Sequence, residues 1–194
     1  MRGALTARGW PIVATAATVA LAGVLAAAAL GFDAAGSQPA AESSCVDADK
    51  PVAELERADL RKALLCTLNE ARESRDLEPL EPSPKLQEAG QKHAAAMVRA
   101  DCLSHQCGDE PDLEARIRRT GYLRGAKRWR YAENTGCGAT AEAMTDNWLD
   151  RNFHRRNIFE ERFDELGIGV LHRTPEMCGT DLATFAAVFG WRKP

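Results

Sequence analysis

Cysteine is the residue type whose number and position in this sequence most directly suggest chemistry. Six cysteines are present, and all of them follow an apolar N-terminal segment: Cys45, Cys66, Cys102, Cys107, Cys137 and Cys178. An even number of cysteines after a segment typical of export predicts disulfides. Zinc coordination by thiolates is the competing interpretation, but no C-x-x-C pair occurs. We expect three bridges, with a loop staple between Cys102 and Cys107, and leave the other pairings open.

The sequence patterns of common hydrolases are absent. There is neither a G-x-S-x-G nucleophile elbow nor an H-E-x-x-H zinc motif. Ser104 precedes His105, but adjacency along the chain does not make a nucleophile and base pair. Because the cysteines are expected in disulfides, no thiol nucleophile is expected either. These observations favour a binding protein over an enzyme.

The charged residues nearly balance, with 25 Lys and Arg against 28 Asp and Glu. This acidic excess argues against a nucleic-acid partner, which would require a basic face or stripe. Two arginine-rich stretches remain, at residues 124–130 and 151–156. We interpret the second as a solvated surface.

Residues 1–36 have the composition of an export segment. Arg2 and Arg8 precede the uncharged residues 9–32, whose apolar centre is long for a cleavable signal and close to a membrane span. The small residues at positions 34–37 could serve a signal peptidase. A cleaved signal peptide and a retained signal anchor both remain open. Either places the domain on the extracytoplasmic side, secreted or anchored, with membrane contact only through this segment.

The elements that must position any site follow from periodicity. Residues 37–50 form a small polar linker, and residues 51–194 suit one domain. Helical spacing of apolar residues predicts helices over 52–74, 84–100, 112–120 and 139–150, with Ser83 as N-cap and Pro84 in the first turn. Alternation predicts a strand over 166–171, and an aromatic and β-branched run predicts another over 182–191, with a turn at 174–179 between them. Helices followed by strands indicate an α+β domain.

Eight short stretches occur in a fixed order between residues 65 and 190. They are LCTLNEAR at 65–72, LEPL at 77–80, the helix at 86–97, Ser104-His105, IRRTGY at 117–122, AEN at 132–134, WLDRNFHRRNI at 148–158, and GIGV at 167–170 with Phe189-Gly190. In this order they resemble the bacterial branch of the CAP superfamily (cysteine-rich secretory, antigen 5 and pathogenesis-related proteins; SCP-like extracellular domains). The resemblance implies a disulfide-stabilised α-β-α sandwich with a central antiparallel sheet.

The family's recurring cleft contains two histidines and acidic residues, and the resemblance carries these roles to His105, Glu133 and His154. Two neutral imidazoles and a carboxylate suit Zn²⁺ and leave positions open for water or a ligand. The same residues could instead move protons, or form a buried network that only orients the loops. His93 and His172 are given structural interpretations.

Two functions follow from this cleft. The favoured one is an exported binding module that presents the cleft to a small hydrophobic molecule, a cell-wall component or a protein. The alternative is a metal-dependent hydrolase that uses His105, His154 and Glu133.

Arg151 is the one departure from the family pattern at the cleft. Relatives have Glu or Ser at this position, three residues before the histidine that matches His154. A guanidinium there would repel a cation and lower the pKa of a nearby histidine. It could pair with Glu133 or bind an anionic ligand through two hydrogen bonds. We therefore expect weak zinc binding, and expect Arg151→Glu to strengthen it.

Overall fold

The computed structural model describes residues 44–194. The predicted export segment at residues 1–36 and the first half of the predicted linker lie outside the described residues. Within residues 44–194, no helix is long and apolar enough to cross a membrane.

The described residues form a mixed α and β domain. Its helices are α1 (Arg57–Glu73), α2 (Pro84–Arg99), α3 (Leu113–Arg119), α4 (Ala141–Asp150) and α5 (Asn152–Ile158). Its strands are β1 (Glu81–Pro82), β2 (Arg128–Gly138), β3 (Glu165–Leu171) and β4 (Ala183–Lys193). Short 3-10 turns occupy Val52–Glu54 and Glu176–Cys178. The α+β prediction is confirmed, while β1, β2 and α5 were not predicted.

The helix ends follow local chemistry. The first predicted helix begins later than expected, at Arg57, because Val52–Glu54 forms a separate 3-10 turn. Ser83 is the N-cap of α2 and Pro84 occupies its first turn, but the Ser83 side chain makes no capping hydrogen bond. The side chains of Asp112 and Thr140 accept the capping hydrogen bonds of α3 and α4.

The sheet has the order β1-β3-β4-β2 and is mixed, which corrects the expected antiparallel sheet. The long strands β2, β4 and β3 pair antiparallel, whereas β1 runs parallel to β3. The N–H groups of Glu81 and Ser83 donate to the carbonyls of Asp164 and Leu166, each at 2.8 Å. Pro82 has no N–H to donate, which limits β1 to a two-residue edge strand.

The sheet is buried between two helical layers. On one face, Phe185 and Phe189 of β4 pack with α1 and α4, including Leu64 and Trp148. The alternate residue Val188 packs with α2 and α3 on the other face. This alternation follows from the two-residue repeat of a strand, and it confirms the α-β-α sandwich.

Glycines in β3 allow α2 to approach the sheet closely. A Cβ added to Gly167 would lie 1.9 Å from the backbone nitrogen of Gln87. A Cβ on Gly169 would lie 2.2 Å from the backbone of Gly90. The alternating GIGV stretch therefore places Ile168 in the core on one face and leaves space for the α2 backbone on the other.

A buried arginine in α1 fastens the end of α5. The Arg72 side chain is fully buried and donates to the carbonyls of Glu78, Ile158 and Phe163 at 2.8, 2.6 and 3.1 Å. These bonds satisfy the guanidinium without a carboxylate partner. They hold the segment after α5 against α1, and so help to fix the helix that carries His154.

All six cysteines are paired, as predicted. The bridges are Cys45–Cys66, Cys102–Cys107 and Cys137–Cys178, and no cysteine is free. The expected loop staple at Cys102–Cys107 is confirmed.

Candidate functional site

Three of the four predicted cleft residues line one cavity of about 520 Å³: His105, Arg151 and His154. His105 lies in the loop that the Cys102–Cys107 disulfide closes. Arg151 separates α4 from α5, and His154 lies in the first turn of α5. The rest of the lining comes from Leu103, Ser104, Thr135, Gly136, Cys137, Asn147, Cys178 and Leu182. Asp and Glu are absent from this lining.

Glu133, the fourth predicted residue, contacts His105 but does not line the cavity. Its side chain is 1% exposed, and its Oε1 lies 3.1 Å from Nδ1 of His105. Arg116 of α3, with a side chain 4% exposed, donates from Nη2 to Glu133 Oε2 at 2.6 Å. The carboxylate is therefore neutralised within the protein and engaged at both oxygens.

Arg116 also fixes the loop that carries His105. Its Nη1 donates to the backbone carbonyl of His105 at 3.0 Å and to that of Pro111 at 3.3 Å. The same nitrogen lies 3.4 Å from Oε2 of Glu110. One buried guanidinium thus holds both the backbone of His105 and the carboxylate that contacts its ring.

A second buried histidine continues this network. His93 of α2 is fully buried, with Nδ1 2.8 Å from Glu110 Oε1 and Nε2 3.5 Å from Glu133 Oε1. Glu110 also accepts a hydrogen bond from the N–H of Cys107 at 2.8 Å. This geometry agrees with the structural interpretation of His93. It links α2 to the disulfide-closed loop from behind the cavity.

His154 is held by its backbone and by packing. Its ring meets Trp148 edge to face, with centroids 6.3 Å apart. Its carbonyl accepts a hydrogen bond from Nδ2 of Asn134 at 3.1 Å, and Asn157 donates to Oδ1 of Asn134 at 2.8 Å. Within residues 44–194, the buried Nδ1 of His154 has no hydrogen-bond partner.

The pKa values of the two cavity histidines are shifted in opposite directions. The hydrogen bond to Glu133 raises the pKa of His105 above its usual 6.5, and the burial of the ring opposes this only in part. Burial lowers the pKa of His154, and the positive charges of His105 and Arg151 lower it further. His105 is therefore the ring whose charged form the site favours.

Arg151 lies on the cavity side but does not pair with Glu133. Its side chain is exposed. Within the described part of the chain, the ion pair of Glu133 with an arginine is made by Arg116. Two roles were expected for Arg151. The ion pair with Glu133 is made by Arg116 instead, and the contact of Arg151 with an anionic ligand stays a prediction.

The predicted three-residue zinc site does not fit this arrangement. Among residues 44–194, the only three His, Cys, Asp or Glu side chains with ligand atoms within 4.8 Å of one another are Cys45, Cys66 and Glu70. The sulfurs of Cys45 and Cys66 are joined in a disulfide, so they do not form a thiolate site. His105, Glu133 and His154 do not converge in this way, and both oxygens of Glu133 are engaged. Zinc binding by this cleft stays a prediction for measurement.

Arg116 and Glu110 were not predicted from the sequence. A signal for Arg116 was present, because Leu113, Arg116 and Ile117 have the spacing of one helix face. An arginine on the apolar stripe of a short helix predicts a buried acidic partner. Glu110 lies in a loop, and its sequence neighbours give no comparable signal.

Comparison with known proteins identifies the family. The family model described as "CAP: Cysteine-rich secretory protein family" matches residues 65–178, more than half of the chain. A comparison with curated proteins gave no match.

Two solved bacterial structures have a similar fold. An outer surface protein from Borrelia burgdorferi superposes with a TM-score of 0.60 at 20% identity, over 72% of this chain and 97% of that one. An extracellular SCP-domain protein from Bacillus anthracis gives 0.57 at 20% identity, over 72% of this chain and 44% of that one. This chain thus matches less than half of the Bacillus protein. The family match and the shared fold together show that the chain belongs to the CAP, or cysteine-rich secretory protein, family.

Proposed function

We propose that this CAP domain is an exported binding module whose cleft takes an anionic group, a carboxylate or a phosphate. The observation that carries the proposal is the cavity lined by His105, His154 and Arg151 without a lining carboxylate. A guanidinium binds both kinds of anion through paired hydrogen bonds. The guanidinium and two imidazoles of this lining, with no lining carboxylate, favour an anionic cell-wall component over a small hydrophobic molecule.

The charges of the residues at this cavity support the binding of an anion. The guanidinium of Arg151 supplies one positive charge. The raised pKa of His105 favours a second positive charge. Glu133 contacts His105 and pairs with Arg116 at 2.6 Å, but it does not line the cavity, so the charged groups that line it are cationic. The cavity is therefore positive on balance.

Binding explains the geometry better than hydrolysis does. A hydrolase using Glu133 as general base would need a carboxylate oxygen free to accept a proton from water. Both oxygens are engaged, one with Arg116 and one with His105. The arrangement therefore gives the metal-dependent hydrolase no support.

Location outside the cytoplasm is part of the same proposal. Three disulfides suit an oxidising compartment. One structural neighbour is described as an outer surface protein and another as extracellular. Secretion and membrane anchoring are both consistent with a ligand met on the extracytoplasmic side.

Calorimetric titration with citrate tests the proposed function, with the neutral triethyl citrate as the matched ligand. Citrate should bind and triethyl citrate should not. Arg151→Gln should weaken citrate binding about tenfold, the effect of losing one charge-assisted contact. Arg57→Gln is the control, since it removes the same charge from an exposed residue of α1 outside the cavity lining. The proposal would be contradicted if the wild type bound citrate and triethyl citrate equally well. It would also be contradicted if Arg151→Gln and the control variant lost the same citrate affinity.

A further inference from the structure

A second concentration of positive charge lies at the end of the sheet, away from the histidine cavity. It begins where β2 and β4 form a two-stranded ribbon. Arg128 pairs in register with Lys193, Trp129 with Arg192, and Arg130 with Trp191. Successive residues of a strand alternate between faces, so both faces of this ribbon carry cations.

The ribbon borders a cavity of about 420 Å³ with a cationic and aromatic lining. Its lining residues are Lys127, Arg128, Trp129, Arg130, Arg162 and Trp191. Asp and Glu are absent from this lining, and none of its residues lines the histidine cavity. The two sites are therefore separate.

Two neighbouring cavities extend the positive surface. One, of about 560 Å³, is lined in part by Arg124, Arg192 and Lys193, and Lys193 is the strand partner of Arg128. The other, of about 480 Å³, shares Arg130 and adds Arg156. We call the three cavities together the basic groove. Its lining carries more cations than one small anion would engage: Arg124, Lys127, Arg128, Arg130, Arg156, Arg162, Arg192 and Lys193.

Two carboxylates, Glu160 and Glu165, line the basic groove and neutralise only some of its cations. Glu160 lies 2.8 Å from Arg162 and 3.6 Å from Arg130, and Glu165 lies 3.6 Å from Arg192. Within residues 44–194, no ion pair with a carboxylate involves Lys127, Arg128 or Lys193. These three cations can be compensated by a ligand.

The tryptophans position cations and do not form bare stacking platforms. The Arg118 guanidinium lies 4.9 Å from the ring centroid of Trp129. Arg128 and Lys193 lie 5.8 and 5.5 Å from that of Trp191. Such contacts hold cationic side chains in place. Occupied ring faces disfavour a partner recognised by base stacking, as single-stranded nucleic acid is.

We infer that the basic groove binds a linear anionic polysaccharide, one that carries carboxylate or phosphate groups along its length. A chain of spaced anions matches a line of cations better than a single anion does. A polysaccharide is favoured over nucleic acid because the disulfides suit an extracytoplasmic compartment. This site is independent of the proposed histidine cleft.

Binding of polygalacturonate, with neutral dextran as the comparison, tests the inference at low salt. The wild type should bind polygalacturonate saturably, and added salt should weaken binding because exposed charges are screened. The double variant Arg128→Gln/Lys193→Gln should bind at least about tenfold more weakly. The control Lys62→Gln/Lys92→Gln removes the same charge from two exposed lysines of α1 and α2 and should bind as the wild type does.

Citrate binding separates this inference from the proposed function. The groove variant should keep wild-type affinity for citrate, since its two residues do not line the histidine cavity. Equal weakening of polygalacturonate binding in the groove and control variants would show that net charge alone acts, and would overturn the inference. Absence of polygalacturonate binding, equal binding of dextran, or tighter binding of duplex DNA would overturn it as well.

Discussion

Removing the guanidinium of Arg116 should destabilise the domain strongly, because it leaves Glu133 buried without its cation. Arg116 Nη2 lies 2.6 Å from Glu133 Oε2, and the two side chains are 4% and 1% exposed. Breaking a buried pair from one side costs about 3 to 5 kcal/mol. We therefore expect Arg116→Leu to lower the free energy of unfolding by about 4 kcal/mol.

A surface arginine of the same helix gives the matched control. Arg118 pairs with Glu114 one turn away, with side chains 49% and 37% exposed. Exposed pairs contribute about 0 to 1 kcal/mol, so Arg118→Leu should have a small effect. Glu133→Gln in the Arg116→Leu background should recover part of the loss, because the buried charge is then gone. The double-mutant cycle measures the coupling of the pair.

Urea unfolding of the purified, disulfide-intact proteins measures these differences, provided that the variants unfold with a common slope. Far-ultraviolet circular dichroism before unfolding checks that each variant starts folded. The reasoning would be refuted if Arg116→Leu and Arg118→Leu destabilised the domain equally. It would also be refuted if Arg116→Leu and the double variant had the same stability.

Three further predictions concern packing, covalent links and pH. Gly167→Ala should destabilise the domain by about 1 to 3 kcal/mol in urea unfolding, because its Cβ would lie 1.9 Å from Gln87 nitrogen. Replacing Cys45 and Cys66 with Ser should cost about 2 to 4 kcal/mol in the same assay. Citrate affinity should increase as pH falls through the raised pKa of His105, because protonation adds positive charge to the cavity.

Each of these predictions has a contrary result. A Gly167→Ala protein as stable as the wild type would show that α2 moves away from β3 without cost. Unchanged stability after loss of the Cys45–Cys66 bridge would show that this disulfide constrains neither the folded nor the unfolded chain. Citrate affinity independent of pH, or falling in acid, would show that His105 does not contribute its charge to the ligand.

Strong periodic patterns made much of the fold predictable. The alternating apolar residues of β3, the aromatic and β-branched run of β4 and the apolar stripes of α2 and α4 correspond to elements found in the structure. The strand β2 was missed because its second half contains Asn, Gly and Cys in a sequence with low strand propensity. Pairing with β4 along its whole length forms that strand. The seven-residue α5 was missed because Ile158 is its only buried residue.

The residues of the site could be predicted from the sequence, but the contacts between them could not. Motif resemblance indicated His105, His154 and Arg151, which line one cavity. It could not indicate that Arg116, from another helix, compensates Glu133, because such a pair depends on how α3 packs on β2. Sequence spacing carries no direct information on contacts of that kind.

Nuclear magnetic resonance of the histidine side chains tests the anionic cleft most directly. Long-range proton–nitrogen spectra follow the imidazole rings while citrate, and then triethyl citrate, is added. His105 and His154 should shift saturably with citrate, while His172, which does not line the cavity, should not. Ring shifts in all histidines alike, or none at His105 and His154, would contradict an anion-binding cleft at these residues.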